Sequence, residues 1–334
     1  MENSAPRPDT INALRFGTDA SFAMLAGMQL DVFTPLSNGS LTAEQIANAI
    51  GVAPTRLPLL LYALVAAGLL TEQDGQFANT PEAQHFLVKD SPSYMGNVHA
   101  LLLNQWERKL KTAASLRTGI PQAYVDFSDS PPEEVEAFLR RINVITVNNA
   151  RELLTRYDFS SIKSLVDVCG GGGGLAITMV KAFPQLQATV IDLPEVTPVA
   201  QKIVEEEGVA DRVTIIASDV VNRPVPGFYD VAVMRTLLQV LPSEDAQRVV
   251  QNLSGAIEPG GTVYIVDAIL DDSRLSPPSA LSFNLFAINV FEAGAAYTEH
   301  EGREWLSAAG FVDIERASFL LAGGFGLMTA RKRG

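Results

Sequence analysis

The chain has 334 residues, more than one ordinary domain uses, and its 47% hydrophobic, 19% charged composition is that of a soluble globular protein. With 25 Lys and Arg against 38 Asp and Glu the net charge is −13, which argues against a phosphate-backbone partner. A single cysteine, Cys169, rules out an internal disulfide framework, and the lack of Cys/His ligand clusters rules out structural zinc, so a reducing cytoplasm is the expected compartment.

Met1 to Thr10 is polar and reads as a frayed tail rather than a signal or transit peptide. From Ile11 to about Leu36, Leu14, Phe16, Phe22, Leu25, Met28, Leu30, Val32 and Phe33 recur at helical spacing up to Pro35. Leu41 to Ile50 predicts a short helix closed by Gly51, and Ala53 to Ala67 a second closed by Gly68. Leu69 to Ala78 predicts a hairpin turning at Asp74-Gly75. Leu57 to Leu70 is free of charge but short of the roughly 18 to 20 residues of a membrane span, so it reads as a buried helix. Helix, turn, helix, wing is a DNA-binding order. Yet Ala53 to Gly68 carries one charge, Arg56, where a groove-reading helix needs a polar and basic face, so a protein interface is the expected use.

Tyr94 to Arg156 reads as a helical bridge, with amphipathic stretches Trp106–Arg117 and Glu133–Tyr157 separated by the turn-rich Ser128-Asp129-Ser130-Pro131-Pro132. After Ser161, strand candidates at Leu165–Cys169, Ala188–Asp192, Val213–Ala217, Asp230–Met234 and Thr262–Asp267 alternate with helices, predicting an α/β fold with a mostly parallel sheet covered on both faces. Strands near Phe311–Arg316 and Gly326–Lys332 close the chain.

Five glycines, Gly170 to Gly174, follow the first of these strands and precede a helix. Such a turn lets a ligand approach the backbone and presents helix N-terminal amides to it. A structural turn is the plain alternative for a glycine run alone. Asp192, 25 residues after Asp167 and at the end of the next strand, stands where a carboxylate meets ribose hydroxyls in dinucleotide and S-adenosylmethionine sites alike. Asp167 directly before the glycines, and Ser218-Asp219 after the third strand, favour S-adenosylmethionine, whose sulfonium and ammonium suit an acidic site. Each aspartate singly also reads as a cap or a solvated loop acid; their joint placement carries the argument.

At these residues the chain resembles the caffeate- and hydroxyindole-type small-molecule O-methyltransferases, class I S-adenosylmethionine enzymes with an N-terminal winged-helix dimerisation domain. The resemblance runs from about Ala20 to Lys332. It rests on Val166-Asp167-Val168-Cys169-Gly170-Gly171-Gly172-Gly173, Ile191-Asp192-Leu193-Pro194, Ser218-Asp219-Val220 and Glu258-Pro259-Gly260-Gly261. It implies a Rossmann-like sheet, a mostly helical winged-helix dimerisation domain over residues 1–95, and bridge plus catalytic domain over 96–334. It also implies a homodimer with a small-molecule acceptor; the charge balance, the short apolar stretch and the lack of an Asp/Glu/Asn cluster leave no nucleic acid, membrane or metal partner to expect. By resemblance Gly170 and Gly171 cradle the methionine part, Asp192 the ribose, and Asp219 with Val220 the adenine, while Arg235 replaces a lysine near the cofactor; Asp167, Gly173 and Leu193 belong to the same cofactor site. Cys169 takes a glycine position, which is tolerated if its φ is negative.

The catalytic pattern departs from the family. Its base histidine lies in a segment matched here by Arg235-Thr236-Leu237-Leu238-Gln239-Val240-Leu241-Pro242, and Gln239 cannot accept a proton at neutral pH. Of two orienting acids, one corresponds to Asp267 and the other is lost at Ala296. Three accounts stay open. The first is methyl transfer by proximity to an acceptor that is already ionised, or to carbon or nitrogen. The second is deprotonation by another group, with His99, His300, Tyr297 and Asp267 as candidates. The third is a cofactor-binding relative with non-methylating chemistry such as decarboxylation, hydroxylation or cyclisation; a non-catalytic ligand-binding protein is the remaining alternative. Of the histidines, His85 and His300 read as surface or capping residues. Trp106 and Trp305 read as core. By resemblance the acceptor pocket takes Phe138, Ile142, Asn143 and Thr146 from the bridge and Phe286, Ala287 and Asn289 from Phe283–Phe291, an apolar lining suited to a flat aromatic or polyketide-like molecule.

Overall fold

A computed structural model describes residues 6–91, 93–124, 131–319 and 325–334, so Met1 to Ala5 of the tail and Ser128 to Ser130 of the turn-rich segment lie outside the described residues. The chain divides into two compact units, Met1–Glu107 and Arg108–Gly334.

In the first unit, α1 (Asp9–Gln29) stops short of Leu36: Asp31 turns the chain at φ 57°, and Pro35 opens a 3-10 turn over Thr34–Asn38. Of the residues whose spacing predicted one long helix, Leu25, Met28, Val32 and Phe33 are buried along the helix and turn, whereas Leu14, Phe16, Phe22 and Leu30 are exposed. β1 (Leu41–Thr42) leads into α2 (Ala43–Ile50), held by a Thr42/Gln45 capping box and closed by Gly51 in the left-handed region. α3 (Leu57–Ala66) starts four residues later than expected because Pro58, with no N–H to give, fits only a helix's first turn. β2 (Leu70–Gln73) and β3 (Gln76–Asn79) pair through Asp74 and Gly75, both at positive φ, as the hairpin signal required. β1 adds to β3, and α4 (Pro81–Phe86) and α5 (His99–Lys109) follow. Phe33, Ile46, Leu61, Leu64 and Phe77 fill this core. Trp106 packs edge-on against Phe22, 5.9 Å between ring centres.

In the second unit, α6 (Thr112–Thr118) and α7 (Pro132–Arg156) precede the sheet, so Trp106–Arg117 is two helices rather than one. Then follow β4 (Ser164–Val168), α8 (Gly174–Ala182), β5 (Gln187–Asp192), α9 (Thr197–Glu206), β6 (Val213–Ala217), β7 (Tyr229–Arg235), α10 (Ser243–Ser254), β8 (Ile257–Asp267), β9 (Ile269–Leu270), α11 (Pro278–Val290), β10 (Tyr297–Thr298), α12 (Glu299–Ala308), β11 (Phe311–Phe319) and β12 (Phe325–Lys332). The sheet order is β11-β12-β8-β7-β4-β5-β6; β4 to β8 run parallel, and β12 lies antiparallel to both neighbours. Alternate side chains feed two cores. Leu165, Val190 and Val233 pack with α7, α8 and α9, while Val166, Met234 and Ile265 pack with α10 and α12. The order reverses between β4 and β7, so their carboxyl ends open the crevice where ligands of such sheets bind. Among the described residues, no helix is long and apolar enough to cross a membrane.

Candidate functional site

The glycine turn leaves β4 at Val168 and enters α8 at Gly174. Gly171 and Gly173 take positive φ, 56° and 74°, as only glycine does freely. A Cβ on Gly170 would lie 2.7 Å from Asp167 Cγ and 2.9 Å from Val190 Cγ1, so this position admits no side chain without displacement. Cys169 corrects an expectation. Its φ is +56°, not negative, because its N–H is drawn 2.7 Å to the Ile191 carbonyl at the end of β5. The left-handed conformation costs a residue with a Cβ about 1–2 kcal/mol.

Three acids stand at the ends of adjacent strands. Asp192 is buried; its Oδ2 accepts from the Gly171 N–H and its Oδ1 from the Leu193 N–H, both at 2.8 Å, so the carboxylate clasps the glycine turn. Burial raises its pKa against the pull of those two donors. Leu193 beside it leaves 45% of its surface exposed, an apolar face next to the acid. Asp167 is 1% exposed, and burial pushes it up to about 7, although the Ala176 N–H and Arg235 favour the anion. Its Oδ2 has no hydrogen-bond partner among the described residues. Asp219 is engaged in its own turn by Val221 N–H (3.0 Å) and Asn222 Nδ2 (2.7 Å), the Asn222 bond being the main reason its pKa falls, and Val220 behind it is buried. A carboxylate has further lone pairs for additional donors.

Arg235, at the end of β7, donates from Nε to Asn149 Oδ1 at 2.5 Å. Asn149 is absent from the residues expected at the site. Leu139, Ile142, Thr146, Asn149 and Leu153 form one stripe at alternating spacings of three and four, and a fully buried amide on such a stripe signals a polar partner across the interface.

Gln239 lies on the 3-10 turn Leu238–Val240 after β7 and is 3% exposed. Its Oε1 accepts from the Ala268 N–H at 2.6 Å, while Asp267 Oδ2 accepts from the Leu238 N–H at 3.1 Å, so turn and strand end lock each other reciprocally. The glutamine oxygen thus ties the turn to the end of β8. Burial pushes Asp267 up to about 7 against the pull of the Leu238 N–H and Arg235, and its Oδ1 has no hydrogen-bond partner among the described residues. Gln239, Asp267, Tyr297, Trp305 and Met328 line a cavity of about 20 Å³. Ala296, at the lost acid's position, is buried, and its N–H donates to Asn284 Oδ1 at 2.7 Å.

Of the substitute bases, Tyr297 donates its hydroxyl to the Leu241 carbonyl at 2.6 Å and is pushed by burial to about 12, which removes it at neutral pH. His300 is exposed, 3.3 Å from Glu304, and His99 sits at the start of α5 with Nδ1 2.8 Å from the Gly96 carbonyl. Asp267 and Tyr297 both line the small cavity beside Gln239, and of these two only Asp267 has a pKa near neutral.

The expected acceptor-lining residues fall into two groups. Phe138 and Ile142 pack on the core beneath α7, and Thr146 bonds back to the Ile142 carbonyl. Asn143 lies against the glycine turn, its Oδ1 3.4 Å from where a Cβ on Gly172 would stand. Phe286 joins Phe283 and Phe291 in an aromatic cluster on α11. Asn289, fully buried, accepts from Ser115 Oγ (2.8 Å) and donates to Thr112 Oγ1 (3.0 Å) and the Leu285 carbonyl (2.8 Å), which makes it a strut between α11 and α6 with no free polar group facing a pocket. Among the described residues, no group of three or more His, Cys, Asp or Glu could hold a metal.

Comparison with known proteins finds an O-methyltransferase domain over residues 107–312 and an O-methyltransferase dimerisation domain over residues 13–89. The tetracenomycin polyketide synthesis 8-O-methyl transferase TcmO of Streptomyces glaucescens is 30% identical, the match covering 92% of each chain. The 3-hydroxy-5-methyl-1-naphthoate 3-O-methyltransferase of Streptomyces sahachiroi is 27% identical over 97% of this chain and 95% of its own. The crystal structure of the S-adenosylmethionine-dependent methyltransferase SibL superposes with a TM-score of 0.81 at 26% identity, covering 98% of this chain and all of that one.

Proposed function

Because the chain belongs to the O-methyltransferase family and carries that family's dimerisation domain, we propose that it is a homodimeric, cytoplasmic, S-adenosylmethionine-dependent methyltransferase of secondary metabolism acting on a small aromatic or polyketide-like acceptor. The observation that carries the reading is the Asp192 clasp on the glycine turn, flanked by orphaned buried oxygens on Asp167 and Asn143. Unpartnered buried acceptors beside a backbone cradle fit a ligand that brings donors and positive charge.

When bound, the cofactor supplies an electrophilic methyl group on a positively charged sulfur. Gly170, Gly171 and Gly173 let it approach the backbone, Asp192 and Leu193 hold its ribose side, Asp219 and Val220 its adenine side, and Asp167 with Arg235 sets the charge beneath the turn. Gln239 takes no proton. With its oxygen committed to Ala268, its NH₂ donates to the acceptor and steadies an oxygen that arrives already ionised, or orients a carbon or amine nucleophile. Asp267 positions Gln239 by holding the Leu238 N–H. The remaining pocket residues, Phe138, Ile142, Thr146 and Phe286, supply apolar surface; Asn289 shapes α11.

The test is incubation with methyl-labelled cofactor and a panel of phenols, naphthols, aromatic amines and activated aromatic carbons. Label in the acceptor is expected, and the pH at which phenol methylation levels off should follow each acceptor's own pKa. A changed acceptor without label would instead establish non-methylating chemistry, which the Gln239 substitution is the reason to check. Gln239→His is expected to raise methylation of weakly acidic phenols by about 10²-fold or more, the usual contribution of a positioned base; complete indifference would place the acceptor elsewhere.

A further inference from the structure

Asn143 reaches from α7 onto the glycine turn. A Cβ added to Gly174 would collide with Asn143 Oδ1, and one at Gly172 would stand 3.4 Å from the same atom, so the amide rests on the first residues of α8. Among the described residues nothing donates to that oxygen, although it is buried. Leaving such an oxygen unpaired costs stability, and a ligand donor at this spot removes the cost. The surroundings narrow the donor's kind. Backbone N–H groups at the start of α8 favour an anion, whereas Asn143 Oδ1, among them, favours a donor. A group carrying an ammonium and a carboxylate on one carbon satisfies both.

We infer that Asn143 Oδ1 accepts a hydrogen bond from the α-ammonium of the cofactor's amino-acid end, which makes Asn143 a cofactor-binding residue rather than a wall of the acceptor pocket. This rests on the methyltransferase reading. It also explains Gly174, whose missing side chain is what leaves room for the amide.

The test is calorimetry on the full chain with two ligands: S-adenosylhomocysteine, and 5′-methylthioadenosine, which lacks the amino-acid end. Asn143→Ala is expected to weaken S-adenosylhomocysteine binding by about tenfold or more, in keeping with a charge-assisted hydrogen bond, and to change methylthioadenosine binding by less than about twofold. Asn143→Asp keeps the size and the acceptor oxygens, so S-adenosylhomocysteine should bind within about threefold of wild type or more tightly. Equal losses for both ligands in Asn143→Ala would make the residue a support for the turn and overturn the inference, as would unchanged S-adenosylhomocysteine binding. A loss in Asn143→Asp as large as that in Asn143→Ala would reject the ammonium as partner. Wild-type protein binding neither ligand would be a different result, failing the methyltransferase reading itself.

Discussion

At Cys169 a side chain occupies a backbone conformation that glycine adopts without cost. Its φ of +56° follows from the bond between its N–H and the Ile191 carbonyl, which fixes the exit of β4 before the glycines begin. Cysteine tolerates this because its Cβ carries one heavy substituent; a β-branched residue would not. Cys169→Val is therefore expected to lose about 2 kcal/mol or more in urea unfolding, and Cys169→Ala about 1 kcal/mol or less. Equal stability of the two variants would mean that the turn relaxes away from the left-handed region. Asn289 and Asn149 show the same scale from the other side. Each is a buried amide whose role lies in its partner: Asn289 braces α11 on α6, and Asn149 holds Arg235.

Among the elements, α1 carries the clearest unspent apolar surface. Ala23, Leu25 and Met28 are buried within its unit, while Ile11, Leu14, Phe16 and Phe22 are each more than half exposed. Water would not leave such a row bare in a helix that functions alone, since burying each large side chain is worth about 1.5–3 kcal/mol. The matched dimerisation domain, residues 13–89, contains most of it, so a second copy of the chain is the occupant to expect. Leu14→Asp with Phe22→Asp should shift the protein from dimer to monomer in sedimentation velocity, with far-UV circular dichroism unchanged. A double variant that stays dimeric would move the interface elsewhere. α3 contributes to the same judgement: its ten residues hold no charge, Leu59 and Tyr62 are exposed, and a helix so composed has nothing with which to read a groove.

For the molecule as a whole, the two buried carboxyls on opposite faces of the sheet set a pH dependence. Asp167 and Asp267 are both pushed by burial from the ordinary 3.8 to about 7. Between those values the folded chain holds protons that the unfolded chain has lost, so stability falls as pH rises from about 4 to 7 and levels off above. Each group's share is a few kcal/mol at most, taking about 1.4 kcal/mol per unit. Asp267→Asn keeps an acceptor for the Leu238 N–H while removing the titration, so it should gain on wild type as pH is raised from 5 to 8. Urea unfolding at the two pH values reads this; the same difference at both would show that Asp267 is ionised throughout.

Much of this was open to the sequence because it depends on residue identity at short range. The strand, five glycines and helix around Gly170, the acids at Asp167, Asp192 and Asp219, and the hairpin at Asp74-Gly75 are local patterns whose physics needs no knowledge of the rest of the chain. The replacement of a base by Gln239 is equally a matter of identity, since no environment makes an amide a proton acceptor at neutral pH. Where helices break was less legible: α1 ends at Asp31 and α3 begins at Leu57 because single residues redirect the backbone inside an unbroken apolar pattern. Only the tertiary structure decided which polar groups are already satisfied. Asn143 and Asn289 look alike in a sequence, both amides on amphipathic helices. Folding gives Asn289 three partners, two of them on α6 far away along the chain, and leaves Asn143 Oδ1 buried on the glycine turn with none among the described residues.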